Sequence, residues 1–494
     1  MKLSLTSASL FVSVTCGLQA DPPPVSSGDV SSHTAVVWSR SVGADRMLVE
    51  TDTDPDFSHP IRHPEVSTGA DQDFTARALL NDLPAGTRIH YRVTFPDGSE
   101  SPPSNTGSFK TAPIDHRNVR FAWSGDTVGQ GWGIDPERGG MQTYETLRAF
   151  QPDFFIHNGD LIYADDPLEP EVPLADGSVW KNRVTPEKSK VAETLAEFRG
   201  AYRYQLLDPQ VRRFLAEVPV FAQWDDHEVA NNWYPGETLS DPRYTEKRAS
   251  VLAERSHQAF IEYTPVAIDS HEPHRIYREI SYGPDLDIYM LDLRSYRGAN
   301  TLNQQDQAGA DTAILGGNQL EWLATRLATS QATWKIIACD MPIGLIVPDG
   351  KEQEAIANSN GPPRGRELEI AGLLSRLKRD QVRNTVWLTA DVHYAAAHHY
   401  APERAVFKDF LPFWEFVSGP LHAGNFGPNE PDNTFGIEVK FQTASKEIPV
   451  DQPPSAGHQY FGGLEFDADT RDLTVTQHNR AGKVVYRQTL HPED

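Results

Sequence analysis

The sequence predicts a chain in two parts, an all-β segment followed by a longer α/β segment. Residues 89–95 alternate strictly between apolar and polar side chains, which is the pattern of a half-buried strand. After residue 116 the pattern changes, because short apolar runs alternate with stretches of helical periodicity. At 494 residues the chain is long enough for two or three domains. We expect one domain over residues 21–113 and a second over residues 116–490.

The first segment is predicted to be a small β-sandwich. Residues 34–38 and 47–50 have the composition of strands, and residues 83–87 predict the turn before the strand at 89–95. Five to seven short strands in about 90 residues are typical of such a sandwich, and the pattern resembles a fibronectin type III module. Residues 111–115 predict a linker.

The second segment has the alternation of an α/β domain, with a sheet buried between helices. Predicted strands lie at 121–124, 154–156, 220–224, 288–291, 334–338 and 385–389. Predicted helices lie at 139–150, 190–216, 245–262, 317–329 and 366–380. An irregular insertion is expected at 168–190, and strand-like alternation returns at 459–490 with a turn at 481–482.

The first twenty residues have the organisation of a secretory signal. Lys2 supplies a short basic start, residues 3–14 lean apolar, and residues 18–20 form a small-residue cleavage site. If this segment is removed, Cys339 is the one cysteine left, so no intrachain disulfide is expected. No other apolar run is long enough to span a bilayer. We therefore expect a secreted or periplasmic protein, with a cytoplasmic N-terminus as the alternative.

The overall charge argues against two classes of partner. The chain has 45 Lys and Arg against 69 Asp and Glu, a net charge of −24 at pH 7. Stable binding to nucleic acid or to an anionic membrane surface needs a basic surface. We expect a monomer with no nucleic-acid partner and no transmembrane segment.

An aspartate follows each of five predicted strands. They are Asp126, Asp160, the pair Asp225 and Asp226, Asp340, and Asp391. Ligands bind at the carboxyl ends of strands in open α/β sheets. A single aspartate at such a place is typical of a helix cap, but several converging carboxylates repel one another unless a cation neutralises them. Tyr163, three residues after Asp160, lies within reach of the same cation, so the pattern predicts a metal centre with oxygen ligands.

Five short motifs run in the order typical of binuclear metallophosphoesterases. They are GDT at 125–127, GDLIYAD at 159–165, DDHE at 225–228, IACDMP at 337–342 and DVH at 391–393. The second motif resembles that of purple acid phosphatases. Residues 224–232, 288–297 and 390–393, with the β-rich segment in front, resemble the alkaline phosphatase D (PhoD-like) family. The resemblance covers nearly the whole chain after residue 20, and it implies a metallophosphoesterase fold of packed sheets flanked by helices.

The resemblance also implies which residues bind metal. Asp126, Asp160, Tyr163 and His393 would hold ferric iron, with Asp160 bridging to a second ion. The remaining ligands of the second site would be Asp226 in the place of an asparagine, and Asp391 and Asp340 in places of histidines. Because all ligands of that site are then oxygens, calcium is favoured, followed by manganese or magnesium. Gly125 before Asp126 departs from the cysteine that the alkaline phosphatase D family has near the first motif.

A mechanism follows from these assignments. A metal-activated hydroxide attacks the phosphorus, and His227 protonates the leaving group, with Glu228 or Asp225 orienting its imidazole. The charge of five aspartates and a tyrosinate exceeds that of one ferric and one divalent ion. This excess predicts a further divalent cation, with calcium as the favoured ion and Asp225 as the nearest spare carboxylate.

The predicted function is a secreted metal-dependent phosphatase that hydrolyses small-molecule phosphate esters, with His227 and Asp160 as the catalytic residues. No Gly-x-Ser-x-Gly elbow is present, so a serine hydrolase has no visible nucleophile. One alternative is a phosphodiesterase, or a phospholipase D-like activity on nucleotides or phospholipid head groups. The other is a non-catalytic envelope binding protein built on the fibronectin-like module.

Overall fold

The computed structural model describes residues 22–99, 102–358 and 360–493. The predicted secretory signal at residues 1–20 lies outside these residues. Among the described residues before 113 there are eight strands: β1 (Val25–Gly28), β2 (Ala35–Arg40), β3 (Arg46–Asp52), β4 (Ile61–Arg62), β5 (Val66–Ser67), β6 (Thr75–Leu80), β7 (Arg88–Thr94) and β8 (Ser104–Lys110). The strands predicted at 34–38, 47–50 and 89–95 correspond to β2, β3 and β7.

The remainder of the chain contains both strands and helices. Its strands are β9 (Val119–Ser124), β10 (Phe154–Asn158), β11 (Glu171–Pro173), β12 (Val179–Lys181), β13 (Val220–Gln223), β14 (Arg278–Ser281), β15 (Leu286–Met290), β16 (Trp334–Ala338), β17 (Leu345–Ile346), β18 (Pro348–Asp349), β19 (Glu352–Gln353), β20 (Thr385–Thr389), β21 (Ala396–Tyr400), β22 (Phe413–Val417), β23 (Glu430–Pro431), β24 (Ile437–Gln442), β25 (Tyr460–Phe466), β26 (Leu473–Asn479) and β27 (Val484–Leu490). Its helices are α1 (Gln142–Ala149), α2 (Leu195–Gln205), α3 (Pro209–Glu217), α4 (Ala249–Tyr263), α5 (Gly316–Thr329) and α6 (Glu367–Arg379).

Two large mixed sheets organise the fold. The first has nine strands in the order β27-β26-β25-β9-β10-β13-β1-β2-β6, and the second has seven in the order β14-β15-β16-β20-β22-β21-β24. Strands β9, β10 and β13 are parallel, as are β15, β16, β20 and β22, whereas the outer pairs are mostly antiparallel. The fold is therefore α+β, with parallel strands at the centre of each sheet.

The two sheets pack face to face. Ile156 of β10 and Ile336 of β16 belong to one shared apolar core. The adjacent residues on the same strands, Phe155 and Ile337, point the opposite way and pack in two separate cores with the helices. Helices α1–α4 cover the outer face of the first sheet, and α5 and α6 cover that of the second. The packed sheets flanked by helices that the family resemblance implies are therefore present. The α/β pattern of a sheet with helices on both faces was wrong in this respect, because each sheet is covered by helices on one face only.

The N-terminal strands do not close into a separate sandwich. Strands β4, β3, β7 and β8 form a sheet to which β5 adds through β3, whereas β1, β2 and β6 extend the nine-stranded sheet. The connection is the parallel pairing of β1 with β13, where Gly28 lies opposite Val220. Met47 and Val49 of β3 face the core that also contains the inner residues of β2 and β6. The likeness to a fibronectin type III module stays a prediction.

The helix predicted at 190–216 is two helices, and local chemistry explains the division. Thr194 and Glu197 form a reciprocal capping box at the start of α2. Asp208 then caps α3, accepting hydrogen bonds from two backbone N–H groups, and Pro209 occupies the first turn, where no backbone donor is needed. The other four predicted helices correspond to α1, α4, α5 and α6. Within the described part of the chain, none of the helices has the length and apolar character needed to cross a bilayer.

Candidate metal centre

Both sheets contribute residues to one cluster of carboxylates. Asp126, Asp160 and the pair Asp225 and Asp226 follow β9, β10 and β13 of the first sheet, whereas Asp340 and Asp391 follow β16 and β20 of the second. Because parallel strands end on the same edge, these side chains meet where the carboxyl ends of the two sheets come together.

The backbone of the cluster is held in an unusual conformation. Asp126, Asp160, Asp391 and His393 all have positive φ angles, between 53° and 65°. Residues other than glycine adopt this region at a cost, and such residues concentrate at functional sites. A close backbone contact adds to the constraint, since a Cβ on Gly419 would lie 2.0 Å from Oδ2 of Asp126. The surrounding structure therefore fixes the directions of these side chains.

The first group of ligand atoms consists of Asp126, Asp160 and His393, within 4.8 Å of one another. His393 donates its Nδ1 hydrogen to the carbonyl of Gly424, which leaves the Nε2 lone pair facing the cluster. Nε2 lies 3.6 Å from Oδ1 of Asp126 and 2.8 Å from the hydroxyl of Tyr163. The structure thus brings together the four residues expected to hold iron.

The first group has the properties expected of metal ligands. Both carboxylate oxygens of Asp126 are buried and have no hydrogen-bond partner among the described residues. Burial lowers the pKa of His393 to about 3, so its imidazole is neutral, as a metal ligand must be. Burial, together with the Asp160 and Asp126 carboxylates, raises the pKa of Tyr163 well above its usual value. A strongly bound cation is what would convert this phenol to phenolate, so the donor set fits a hard ion such as ferric iron.

Two further groups continue the cluster. Asp160, Asp226 and His227 form one, and Asp225, Asp226 and Asp391 form the other. Asp160 is shared by the first two groups and Asp226 by the last two, so the three groups form a chain across both sheets. Among the described residues, Asp340 lies outside these groups.

Burial makes simultaneous ionisation of the cluster unfavourable. It is the largest cause that raises the pKa of Asp126, Asp160, Asp225 and Asp391 well above the usual range. Asp226 is different: burial raises its pKa, but His227, Arg294 and backbone hydrogen bonds, including that from Asn232, together lower its pKa below the usual value. Cations bound at the cluster would favour the ionised form of the other carboxylates.

Arg294 is a residue of this cluster that the sequence analysis did not single out. It follows β15, its side chain is fully buried, and its Nε donates to Oδ1 of Asp225 at 2.7 Å and to Oδ2 of Asp340 at 3.0 Å. The signal that could have found it is its position after a central parallel strand, inside the stretch 288–297 that carries part of the family resemblance.

His227 is oriented by a residue other than those expected. Its Nδ1 donates to Oδ1 of Asp165 at 2.8 Å, and Oδ2 of Asp165 accepts from the backbone N–H of Asn231. The ring of Tyr163 stacks on the imidazole, with 4.2 Å between the ring centroids. The expectation that Glu228 or Asp225 orients His227 was wrong. Glu228 instead accepts backbone N–H groups of residues 160–162 and 225, and so holds the Asp160 loop.

An open cleft gives access to the cluster. It has a volume of about 560 Å³, and Tyr163, Asp165 and His227 form part of its wall. Arg243 and Phe426 also line it. A cleft of this size accommodates a small molecule and places it beside the free edge of His227.

Comparisons with known proteins bear on the family and the fold. Residues 121–477 match the family model described as PhoD-like phosphatase, and residues 22–113 match that of the PhoD-like phosphatase N-terminal domain. Alkaline phosphatase D of Bacillus subtilis (strain 168) is 26% identical over 440 residues, which span 83% of this chain and 70% of that protein. A solved structure of PhoD has a TM-score of 0.70 at 18% identity, covering 96% of this chain and 94% of that chain, and this match supports the fold.

Proposed function

Because the chain belongs to the PhoD-like phosphatase family, we propose that it is a secreted, metal-dependent phosphatase of small-molecule phosphate esters. The family predicted from the motifs is confirmed by these matches and by the relative from Bacillus subtilis, and it implies a phosphoric ester hydrolase. The observation that best supports metal dependence is the pair of unpartnered, buried carboxylate oxygens of Asp126 beside His393. We assign residues 21–113 to the N-terminal domain and residues 116–490 to the catalytic domain.

The ligand groups suggest how two ions are held. Asp126, Asp160, Tyr163 and His393 would hold ferric iron, and Asp160 would bridge to calcium held by Asp226 and Asp391. Manganese or magnesium would suit the same oxygen ligands. When bound, such ions lower the pKa of a water so that hydroxide can attack phosphorus, and they neutralise the phosphate charge.

His227 supplies the proton for the leaving group in this proposal. Its Nδ1 hydrogen bond to Asp165 fixes the ring and leaves Nε2 as the atom that faces the substrate. Tyr163, stacked on the ring, limits its rotation. Nε2 lies 3.9 Å from Oδ2 of Asp226, so the proton donor sits beside the second ligand group.

The secreted location rests on residues 1–20, whose basic start, apolar middle and small-residue end are typical of a secretory signal. Neither alternative function is favoured by the comparisons. The matched family is one of phosphatases, which argues against a non-catalytic binding protein and does not point to a diesterase.

Substituting Asp126 tests the proposal. Asp126→Asn removes a carboxylate charge at the first ligand group with little change in shape, so iron content and hydrolysis of phosphate monoesters should both fall. The matched control is Asp409→Asn, since Asp409 is a surface residue paired with Lys378. An Asp126→Asn protein with unchanged iron content and turnover would contradict the proposed site.

A further inference from the structure

The guanidinium of Arg294 is surrounded by carboxylates. Besides Asp225 and Asp340, it contacts Glu354 through Nη1, and its Nη2 lies 3.5 Å from Oδ1 of Asp391 and 3.7 Å from Oδ1 of Asp226. The side chains of Arg294 and Asp340 are both fully buried. One cation therefore contacts five acidic side chains with no water-exposed edge.

These carboxylates come from different parts of the fold. Asp225 belongs to the first sheet, Asp340 and Asp391 to the second, and Glu354 follows the short strand β19. Arg294 thus joins the ends of the two sheets at the place where the ligand groups meet. A guanidinium suits this position because it stays protonated and presents five donors in a rigid plane.

The hydrogen bonds use one oxygen of each carboxylate and leave the other available. Arg294 contacts Oδ1 of Asp225 and Oδ2 of Asp340. The opposite atoms, Oδ2 of Asp225 and Oδ1 of Asp340, are buried and have no hydrogen-bond partner among the described residues. Oδ1 of Asp226 also has none within hydrogen-bonding distance. Arg294 therefore orients the carboxylates without saturating them.

The position of Arg294 bears on the charge of the cluster. Buried carboxylates this close repel one another strongly unless a positive charge lies between them. The sequence predicted a further divalent ion beside Asp225 to balance this negative charge. In the structure the Arg294 guanidinium is bonded to that carboxylate.

We propose that Arg294 is a positioning residue that takes the place of one divalent cation in the cluster. Its fixed charge holds Asp225 and Asp340 and leaves Asp226 and Asp391 directed at the second metal ion. This inference rests on the proposed metal-dependent function. It predicts that without the guanidinium the carboxylates bind an extra cation to balance their charge. Loss of an arginine with a purely structural role would not change the number of bound cations.

The test compares metal content in four variants. Arg294→Gln, Arg294→Lys, Arg297→Gln and the double variant Arg294→Gln/Asp225→Asn are stripped with chelator and dialysed against iron and calcium, and metals per chain are measured. Arg297 is the matched control, because it is also buried and contacts Glu354, but it makes no contact with the aspartates among the described residues. Arg294→Gln should bind one more divalent ion per chain than wild type, and calcium should raise its Tm more than that of wild type.

Arg294→Lys and Arg297→Gln should keep the wild-type count, and Asp225→Asn in the double variant should restore it. Equal counts in Arg294→Gln and wild type would overturn the proposal. If Arg294→Gln does not fold, the proposal is tested with the double variant. This variant should fold and bind as many metal ions per chain as wild type. Failure to fold, or one additional ion per chain, would overturn the proposal. Phosphatase activity of the wild type is measured separately. A wild type without activity would contradict the proposed function, whereas the role of Arg294 is decided by the number of metal ions per chain in the variants.

Discussion

Oδ1 of Asp165 accepts a hydrogen bond from Nδ1 of His227 at 2.8 Å, at the wall of the cleft that leads to the carboxylate cluster. The pair is separated by 62 residues along the chain, and the stacked ring of Tyr163 supports it. A histidine held in this way by a carboxylate has a fixed tautomer and ring orientation, which is what a proton donor requires.

Asp165→Asn should slow turnover roughly 10–100-fold for esters with poor leaving groups. An amide is uncharged and has one acceptor oxygen, so it cannot accept from both the His227 imidazole and the Asn231 N–H as the carboxylate does. Metal content should stay at the wild-type level, since Asp165 lies outside the three ligand groups found among the described residues. Steady-state kinetics beside elemental analysis measures both, and Asp176→Asn, in an exposed turn, is the control. A loss of metal without any change in turnover per loaded chain would contradict this role.

His227→Ala should reduce turnover by on the order of 10²–10⁴-fold. The metals should remain bound although His227 belongs to one ligand group, because the residues proposed to hold the two ions are all retained. The loss of turnover should be smaller for nitrophenyl phosphate, whose leaving group needs no proton. Asp226→Ala should instead lower the occupancy of the second metal, since Asp226 belongs to two ligand groups. If His227→Ala also loses metal, or slows good and poor leaving groups equally, His227 acts as a ligand or a structural residue instead.

Tyr163→Phe should remove a visible absorption band while leaving the fold intact. A phenolate bound to ferric iron absorbs visible light by charge transfer, and the Tyr163 hydroxyl lies 2.8 Å from Nε2 of His393 in the first ligand group. The holo-protein should be violet to pink, and absorption spectra of wild type and variant at equal iron content test this. A colourless wild type that contains stoichiometric zinc and no iron would contradict the iron assignment.

The burial of His157 predicts that the folded protein becomes less stable in mild acid. His157 is buried on β10, and burial lowers its pKa to about 3. The imidazole takes up a proton near pH 6.5 in the unfolded chain but only near pH 3 in the folded chain. The folded state therefore keeps its full stability above about pH 6.5 and loses stability as the pH falls toward 3. The free energy of unfolding should decrease by up to about 1.4 kcal/mol per pH unit from this group alone.

His157→Gln should reduce that dependence, and urea unfolding of both proteins between pH 7 and about pH 5 measures the difference. His271→Gln, which changes an exposed histidine, should behave as wild type. Identical slopes for His157→Gln and wild type would show that His157 does not contribute to acid sensitivity.

Much of the fold could be predicted because local patterns determine it. The strands at 334–338 and 385–389 have the predicted bounds, since short buried runs between helices have little freedom in register. The division between α2 and α3 was missed, although Asp208 and Pro209 form a recognisable helix start. The pairing of β1 with β13 could not be predicted, because it joins strands almost 200 residues apart and no local signal marks it.

The candidate site, like the fold, could be predicted from the sequence only in part. The strand-end aspartates could be predicted, because the carboxyl ends of neighbouring parallel strands share an edge. The partner of His227 could not, since Asp165 was one of several carboxylates near it in the sequence. Arg294 was missed because an arginine in a sequence is most often solvent-exposed, and its burial depends on how the two sheets meet.

Metal removal and restoration tests the central claim most directly. The protein is treated with a strong chelator, dialysed, and assayed for hydrolysis of a phosphate monoester before and after addition of ferric iron and calcium, with metals measured at each step. Activity should disappear with the metals and return when both ions are restored, in proportion to occupancy of the first site, formed by Asp126, Asp160 and His393, and of the second, formed by Asp226 and Asp391. Full activity in protein shown to contain no metal would contradict it.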